Sequence, residues 1–96
     1  MEEKMANYFK VLSDPVRLEV IRYLIEGETC SCTIIDKVSV SQPTLSYHLK
    51  TIANAGLSTS IRDGNQIKYY INKEKVDEMI QYLQVLRNME SEQCKL

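Results

Sequence analysis

The chain has 96 residues, 44% hydrophobic and 26% charged, a balance that excludes a disordered tail or a fibre and leaves one small core that a partner would help to stabilise. No apolar run approaches the ~18 residues a membrane span needs, and the start Met1-Glu2-Glu3-Lys4-Met5 lacks the basic lead and apolar stretch of a secretory signal, so a cytoplasmic protein with no membrane partner is expected. The net charge of −1 argues against nucleic acid only until its distribution is read: Thr29 to Lys75 carries six basic residues against three acidic, a net +3, between flanks of −2 each.

From Met5 to Leu12, the apolar residues Met5, Tyr8, Phe9 and Leu12 recur at helical spacing and predict a first helix. Ser13-Asp14-Pro15 ends it and starts a second, because Asp14 is a capping residue and proline suits the first helical position. Val16, Val20, Ile21, Leu24 and Ile25 make one face of the second helix, and Gly27 closes it. Thr29 is the expected cap of a short third helix through Cys32, Ile34, Ile35 and Val38. After a turn at Ser39 to Ser41, Ser41 caps a fourth helix that begins Gln42-Pro43-Thr44, faces Leu45, Leu49, Ile52 and Ala53 inward and stops at Gly56. Beyond Gly56 the period becomes 2. Leu57, Thr59 and Ile61 share one strand face and Ile67, Tyr69 and Ile71 the next, with Asp63-Gly64 as a tight turn between them. Asn72 is the expected cap of a last helix striped by Val76, Met79, Ile80, Leu83 and Leu86.

Short helix, tight turn, capped helix and hairpin, in that order, predict an α+β, mainly helical fold: a winged helix-turn-helix over 1–96, with helices 1–4, a β-hairpin wing and a C-terminal helix. The stretches 1–12 and 73–92 keep apolar stripes that the central unit does not use. Met5, Tyr8, Phe9, Leu12, Val76, Met79, Ile80, Leu83 and Leu86 are therefore expected to form a homodimer interface, and a two-fold dimer implies a pseudo-palindromic site on double-stranded DNA.

The fourth helix turns Pro43, Thr44, Tyr47, Lys50, Thr51 and Asn54 outward, with Gln42 and Ser46 on the shoulders. Such groups suit a major groove, where Gln pairs with adenine, hydroxyls reach bases or phosphates and Lys neutralises a phosphate. The candidate DNA contacts on this helix are Ser41, Gln42, Thr44, Ser46, Tyr47, His48 and Lys50, although His48 fits packing or hydrogen bonding as well as a phosphate contact. In the wing they are Arg62, Asn65, Gln66 and Lys68, placed for backbone or minor groove.

In a reducing compartment Cys30, Cys32 and Cys94 read as free thiols, metal ligands or redox groups rather than a disulfide framework. A Cys-x-Cys pair favours soft, thiophilic ions, and a helix start favours the thiolate form. Within a regular helix residues two apart point ~200° from each other, so both sulfurs grip one ion only if the first turn unwinds. The bland alternative makes Cys32 a small buried hydrophobe, Cys30 incidental and Cys94 a thiol in a disordered tail.

Three segments, LSDPVRLEVIRYLIEGETCSC, SQPTLSYHLKTIANAGL and RDGNQIKYYIN, together resemble the ArsR/SmtB family of bacterial metal-sensing repressors over roughly Met5 to Leu86. The resemblance implies a dimeric repressor that binds operator DNA without a cofactor and releases it when a metal or metalloid binds. The family's reading helix resembles Ser41 to Lys50 here, with Gln42, Ser46 and Tyr47 close to bases, although many members carry His or Arg at the Tyr47 position. The arsenic-sensing branch has the pattern Glu-Leu-Cys-Val-Cys-Asp-Leu-Cys where this chain has Glu28-Thr29-Cys30-Ser31-Cys32-Thr33-Ile34-Ile35. Two of its three cysteines are kept, which implies As(III) or Sb(III) as inducer, bound by Cys30 and Cys32 with Cys94 a candidate third ligand.

The alternatives within the family are a cadmium, zinc or lead sensor and a sensor of thiol oxidation. The last helix lacks histidine and the N-terminal arm lacks cysteine, against the zinc and the cadmium or lead sites respectively. A structural zinc module from Cys30, Cys32, His48 and Cys94 has poor spacing. A pure dimerisation module leaves the polar face from Gln42 to Lys50 unexplained. An enzyme is the least supported class: one histidine, no paired acids and no phosphate-binding glycine loop leave little for a catalytic site.

Overall fold

Helix boundaries follow from local capping chemistry. The structure is a computed structural model that describes residues 1–90, so Cys94 lies outside the described residues. The first helix, α1 (Glu2–Leu12), starts three residues before the apolar pattern, with Glu2 and Glu3 in the first turn where the helix dipole favours acids. Asp14 caps α2 (Pro15–Glu26) as expected: its carboxylate accepts from the backbone N–H of Val16 (2.8 Å) and Arg17 (3.2 Å). Gly27, at φ 109°, closes α2 in the left-handed conformation that only glycine adopts without strain.

The next helix, α3, is a single turn, Ser31–Ile34, and its cap is Cys30 rather than Thr29. Ser41 caps α4 (Gln42–Asn54), its hydroxyl accepting from Thr44 N and donating to Thr44 Oγ1. Leu45, Leu49 and Ile52 of α4 are buried against Val20 and Leu24 of α2, Ile34 of α3 and Leu57. Ile25, expected inward, is half in solvent, since the buried stripe of α2 runs through Val20 and Leu24.

The hairpin pairs β1 (Ser58–Asp63) with β2 (Gln66–Ile71) antiparallel, in a register running from Ser58 opposite Ile71 to Asp63 opposite Gln66. The two turn residues are therefore Gly64 and Asn65, one position beyond the expected Asp63-Gly64. Gly64 alone has positive φ (65°), as a type II′ turn requires. The register also shows which side chains share a face. Ser58, Ser60 and Arg62 share the inward face with Ile71, Tyr69 and Ile67, while Thr59 and Ile61 lie on the other side with Tyr70 and Lys68. Leu57 is buried just before the strand begins, and Thr59 and Ile61 beyond it are exposed.

Asn72 precedes α5 (Lys73–Asn88) without capping it through its side chain. That side chain instead donates to Gly56 O (2.9 Å) and accepts from Thr59 Oγ1 (2.9 Å), tying the end of the wing to its start. α5 stops at Asn88, short of the expected 92.

The ends of the chain pack on each other. Lys4 pairs with Glu78 at 2.8 Å, and Phe9 and Tyr82 stack at a tilt, 6.4 Å between centroids. Met5, Tyr8 and Met79, expected at a dimer interface, are buried inside the single chain by this α1–α5 contact. Phe9, Leu12 and Val76 are partly buried against the same core, whereas Ile80, Leu83 and Leu86 face solvent.

Candidate nucleic-acid interface and thiol pair

Once Leu45, Leu49 and Ile52 have fixed the inward side of α4, geometry leaves Ser41, Gln42, Thr44, Tyr47 and Lys50 exposed along one side, with Ser46 half-buried at the edge. Tyr47 is 63% exposed, an outlay of aromatic surface that the fold of one chain does not use. Lys50 and Arg62 make no ion pair among the described residues, so both cations are free to meet phosphates.

His48 behaves differently from its neighbours. It is 7% exposed, and its Nδ1 lies 3.2 Å from Nη1 of Arg17, whose Nε donates to Val11 O at 2.8 Å. Arg17 thereby fastens α4 to the α1–α2 corner. Burial takes His48 away from the exposed row and places it in the contact between α4 and Arg17 of α2. Nothing in the spacing of Arg17 pointed to this role, because the contact spans 31 positions.

In the wing, Arg62, Asn65 and Gln66 are exposed, whereas Lys68 is half-buried and paired with Asp63 at 2.9 Å. The hydrogen bond to Asp63, and then its charge, raise the pKa of Lys68 above the ordinary lysine value. Lys68 thus spends its charge inside the wing.

The two cysteines meet where these elements join. Cys30 is extended (φ −102°, ψ 136°) and caps α3 from outside, its sulfur accepting from Cys32 N at 3.2 Å. The ~200° separation expected for two helical residues therefore does not apply. With Cα atoms 5.2 Å apart the side chains converge, and the structure joins the two sulfurs as a disulfide where the sequence pointed to free thiols. Cys32 is exposed and Cys30 half-buried, the reverse of the buried-hydrophobe reading.

Cys30 also forms an antiparallel bridge with Lys68, and Tyr69 N donates to Thr29 O at 3.0 Å. The stretch before α3 is thus held against β2 of the wing at the sulfur pair itself. Beside it opens a cavity of about 330 Å³ whose walls include Cys30, Cys32, Ser46, Lys50, Gln66 and Tyr69. Thiols, reading helix and wing share this cavity. Among the described residues no three His, Cys, Asp or Glu side chains come together as a metal site, so the pair stands without a third protein ligand there.

A capped reading helix with a polar exposed row, followed by a hairpin carrying free Arg62, defines a winged helix-turn-helix DNA-binding protein. Residues 14–59 match the profile of the family described as bacterial regulatory protein, arsR family. An arsenical resistance operon repressor of Staphylococcus xylosus is 36% identical, over 96% of this chain and 97% of its own. A cadmium resistance transcriptional regulatory protein of Listeria innocua is 34% identical over 75% of this chain and 61% of its own. A solved homodimeric winged helix-turn-helix DNA-binding domain from Mycobacterium bovis superposes with a TM-score of 0.71 at 26% identity, covering 90% of this chain and 80% of that one. The chain belongs to the ArsR family: it is a transcriptional repressor that binds DNA, and not an enzyme.

Proposed function

We propose that this repressor binds a two-fold operator duplex as a homodimer and releases it when trivalent arsenic or antimony is captured by the thiolates of Cys30 and Cys32. In the bound state Gln42, Thr44, Ser46 and Tyr47 face base edges, Ser41 and Lys50 hold phosphate, and Arg62, Asn65 and Gln66 of the wing follow the flanking groove. No cofactor takes part in DNA binding. The site of action is the cytoplasm. Ile80, Leu83 and Leu86, the exposed part of the α5 stripe, carry the dimer contact.

One observation carries the reading: the sulfur pair sits at the junction of the switch elements. Cys30 is at once the cap of α3, the bridge partner of Lys68 and a wall of the cavity shared with Ser46 and Lys50. An ion held by both sulfurs removes the Cys30 cap from Cys32 N and pulls on the bridge between Cys30 and Lys68 of the wing. Release needs a coupling of ~1–3 kcal/mol, and by reciprocity the operator weakens inducer binding by the same factor. The arsenical repressor among the relatives supports the metalloid, the cadmium regulator supports a softer divalent ion, and two convergent thiolates suit both. Cys94, the candidate third ligand, lies outside the described residues.

The test is fluorescence anisotropy on operator duplex under reducing conditions, titrated with arsenite, for wild type and Cys30→Ser/Cys32→Ser. Release of the wild type alone, with equal starting affinity, is the expected result. If both stay bound, the metalloid reading falls. A second reading has the joined sulfurs in its favour: formation of the Cys30–Cys32 disulfide by a peroxide is itself the signal. That reading requires release by peroxide without any metalloid, and full recovery on adding a dithiol.

A further inference from the structure

His48 is the one histidine of the chain, and it is only 7% exposed. Its two ring nitrogens stand in different surroundings. Nδ1 lies 3.2 Å from Nη1 of Arg17, and a guanidinium only donates, so Nδ1 holds the lone pair and the ring proton is on Nε2. Arg17 is itself held from two further sides: its Nε donates to Val11 O at 2.8 Å and its backbone N–H to the Asp14 carboxylate at 3.2 Å. A residue anchored at the α1–α2 corner therefore sets the tautomer of a residue on α4. Among the described residues Nε2 has no hydrogen bond, and the only side-chain oxygen or nitrogen there both sealed from solvent and unpaired is Ser58 Oγ, so Nε2 keeps an opening to solvent.

His48 borders the exposed row of α4. It follows Tyr47, with 5.6 Å between the ring centroids, and stands one turn after the exposed Thr44. A major groove about 12 Å wide is filled by an α-helix about 10–12 Å across, so side chains at the centre of the inserted face meet bases and those at its margin meet the strand backbones. We infer that Nε2–H of His48 donates to a phosphate oxygen of the operator, and that Arg17 is the positioning residue that keeps the proton on that nitrogen. The inference rests on α4 being the reading helix and adds to it a backbone contact made by a neutral group. In the opposite tautomer two donors would oppose each other at Arg17 and a lone pair would face the phosphate, so both contacts would be lost. With the guanidinium donating to Nδ1, the ring is polarised outward and Nε2–H is the stronger donor. An uncharged ring also displaces no counterion from the duplex, which sets this contact apart from that of Lys50.

The experiment uses the full chain labelled with nitrogen-15 at histidine, whose single imidazole gives one pair of ring-nitrogen signals. Proton–nitrogen correlation spectra are recorded with and without operator duplex. The free protein is expected to carry the ring proton on Nε2 alone, and the operator to slow its exchange with water. In Arg17→Met, which removes the guanidinium and keeps an apolar stem, the Nδ1–H form should appear. His48→Asn keeps an oxygen where Nδ1 accepts from Arg17 and removes the outward donor. Its affinity, read by anisotropy, should fall at least about tenfold on operator and unrelated duplex alike, as loss of a hydrogen bond to a charged group requires, with the slope of log affinity against log salt unchanged. A wild-type ring proton on Nδ1, Nε2–H exchange as fast with operator as without, or wild-type affinity in His48→Asn each overturns the phosphate contact and leaves operator binding by α4 standing. A single Nε2–H tautomer in Arg17→Met overturns the role of Arg17. A wild type that binds no duplex overturns the operator reading and this inference with it.

Discussion

Along α5, Ile80, Leu83, Val85 and Leu86 stand in solvent, whereas on α4 Leu45, Leu49 and Ile52 are buried and the exposed row includes Gln42, Thr44, Tyr47 and Lys50. Both helices are amphipathic, so the difference lies in what one chain offers them. α4 has a core to turn towards, made by α2, α3 and the start of the wing. α5 has only α1, and Met79 with Tyr82 already uses that contact together with Met5, Tyr8 and Phe9. The apolar remainder of α5 contributes nothing to the fold of a single chain, and contiguous exposed surface of that kind marks an association face. On the proposed function, one end of the molecule meets a second copy of the chain and the other meets DNA.

The comparison breaks most visibly at α5. Leu83→Glu with Leu86→Glu should leave a folded monomer, because neither side chain belongs to the core. Operator affinity should then fall by about 10²- to 10⁴-fold as the second half-site is lost. Sedimentation velocity and circular dichroism check the state of the protein, and anisotropy checks the affinity. A doubly charged variant that remains dimeric would show that the protein-binding face lies elsewhere.

Much of this division was legible in the chain, and the places where it was not share a cause. Helix caps at Asp14 and Ser41 and the change of period after Gly56 are local features, and local chemistry decides them. Which apolar residues of α1 and α5 meet within one chain is decided by a contact between the two ends, and periodicity gives the stripe without its partner. The same holds for His48: its position on the helix placed it at the edge of the buried arc, and only Arg17, 31 positions away, settles what it does. The wing shows the converse failure. A hairpin was evident, but Gly64-Asn65 rather than Asp63-Gly64 makes the turn, and that shift moves every cross-strand partner by two residues while leaving the faces of β1 as they were. At the sulfur pair the error was one of boundary: with Cys30 placed inside the helix the sulfurs diverge, and with Cys30 at its cap they meet.

At the DNA end a smaller change sharpens the contrast between positioning and reading. Lys50→Ala should weaken binding to every duplex by a similar factor and reduce the slope of log affinity against log salt by about 1, as loss of one phosphate contact requires. A loss confined to the cognate operator, with an unchanged salt slope, would instead make Lys50 a reader of bases.

The smallest effect is expected midway, at the corner where Asp14 and Arg17 join the two ends. The Asp14 carboxylate accepts the N–H of Arg17, the stronger influence, and that of Val16, and these bonds hold its pKa below the ordinary value of 3.8. Folding therefore favours the charged form, so the cap's contribution is complete above 3.8 and is lost as pH falls through the lower, folded-state value. Asp14→Asn keeps an oxygen to accept the same N–H groups and removes the titration. Between about pH 5 and pH 2 the melting temperature of the wild type should thus fall more steeply than that of Asp14→Asn, while near neutrality the wild type is the more stable of the two. Identical slopes would mean that the carboxylate charge contributes nothing at this corner, and that Pro15 and the bond from Arg17 to Val11 O hold the start of α2 alone.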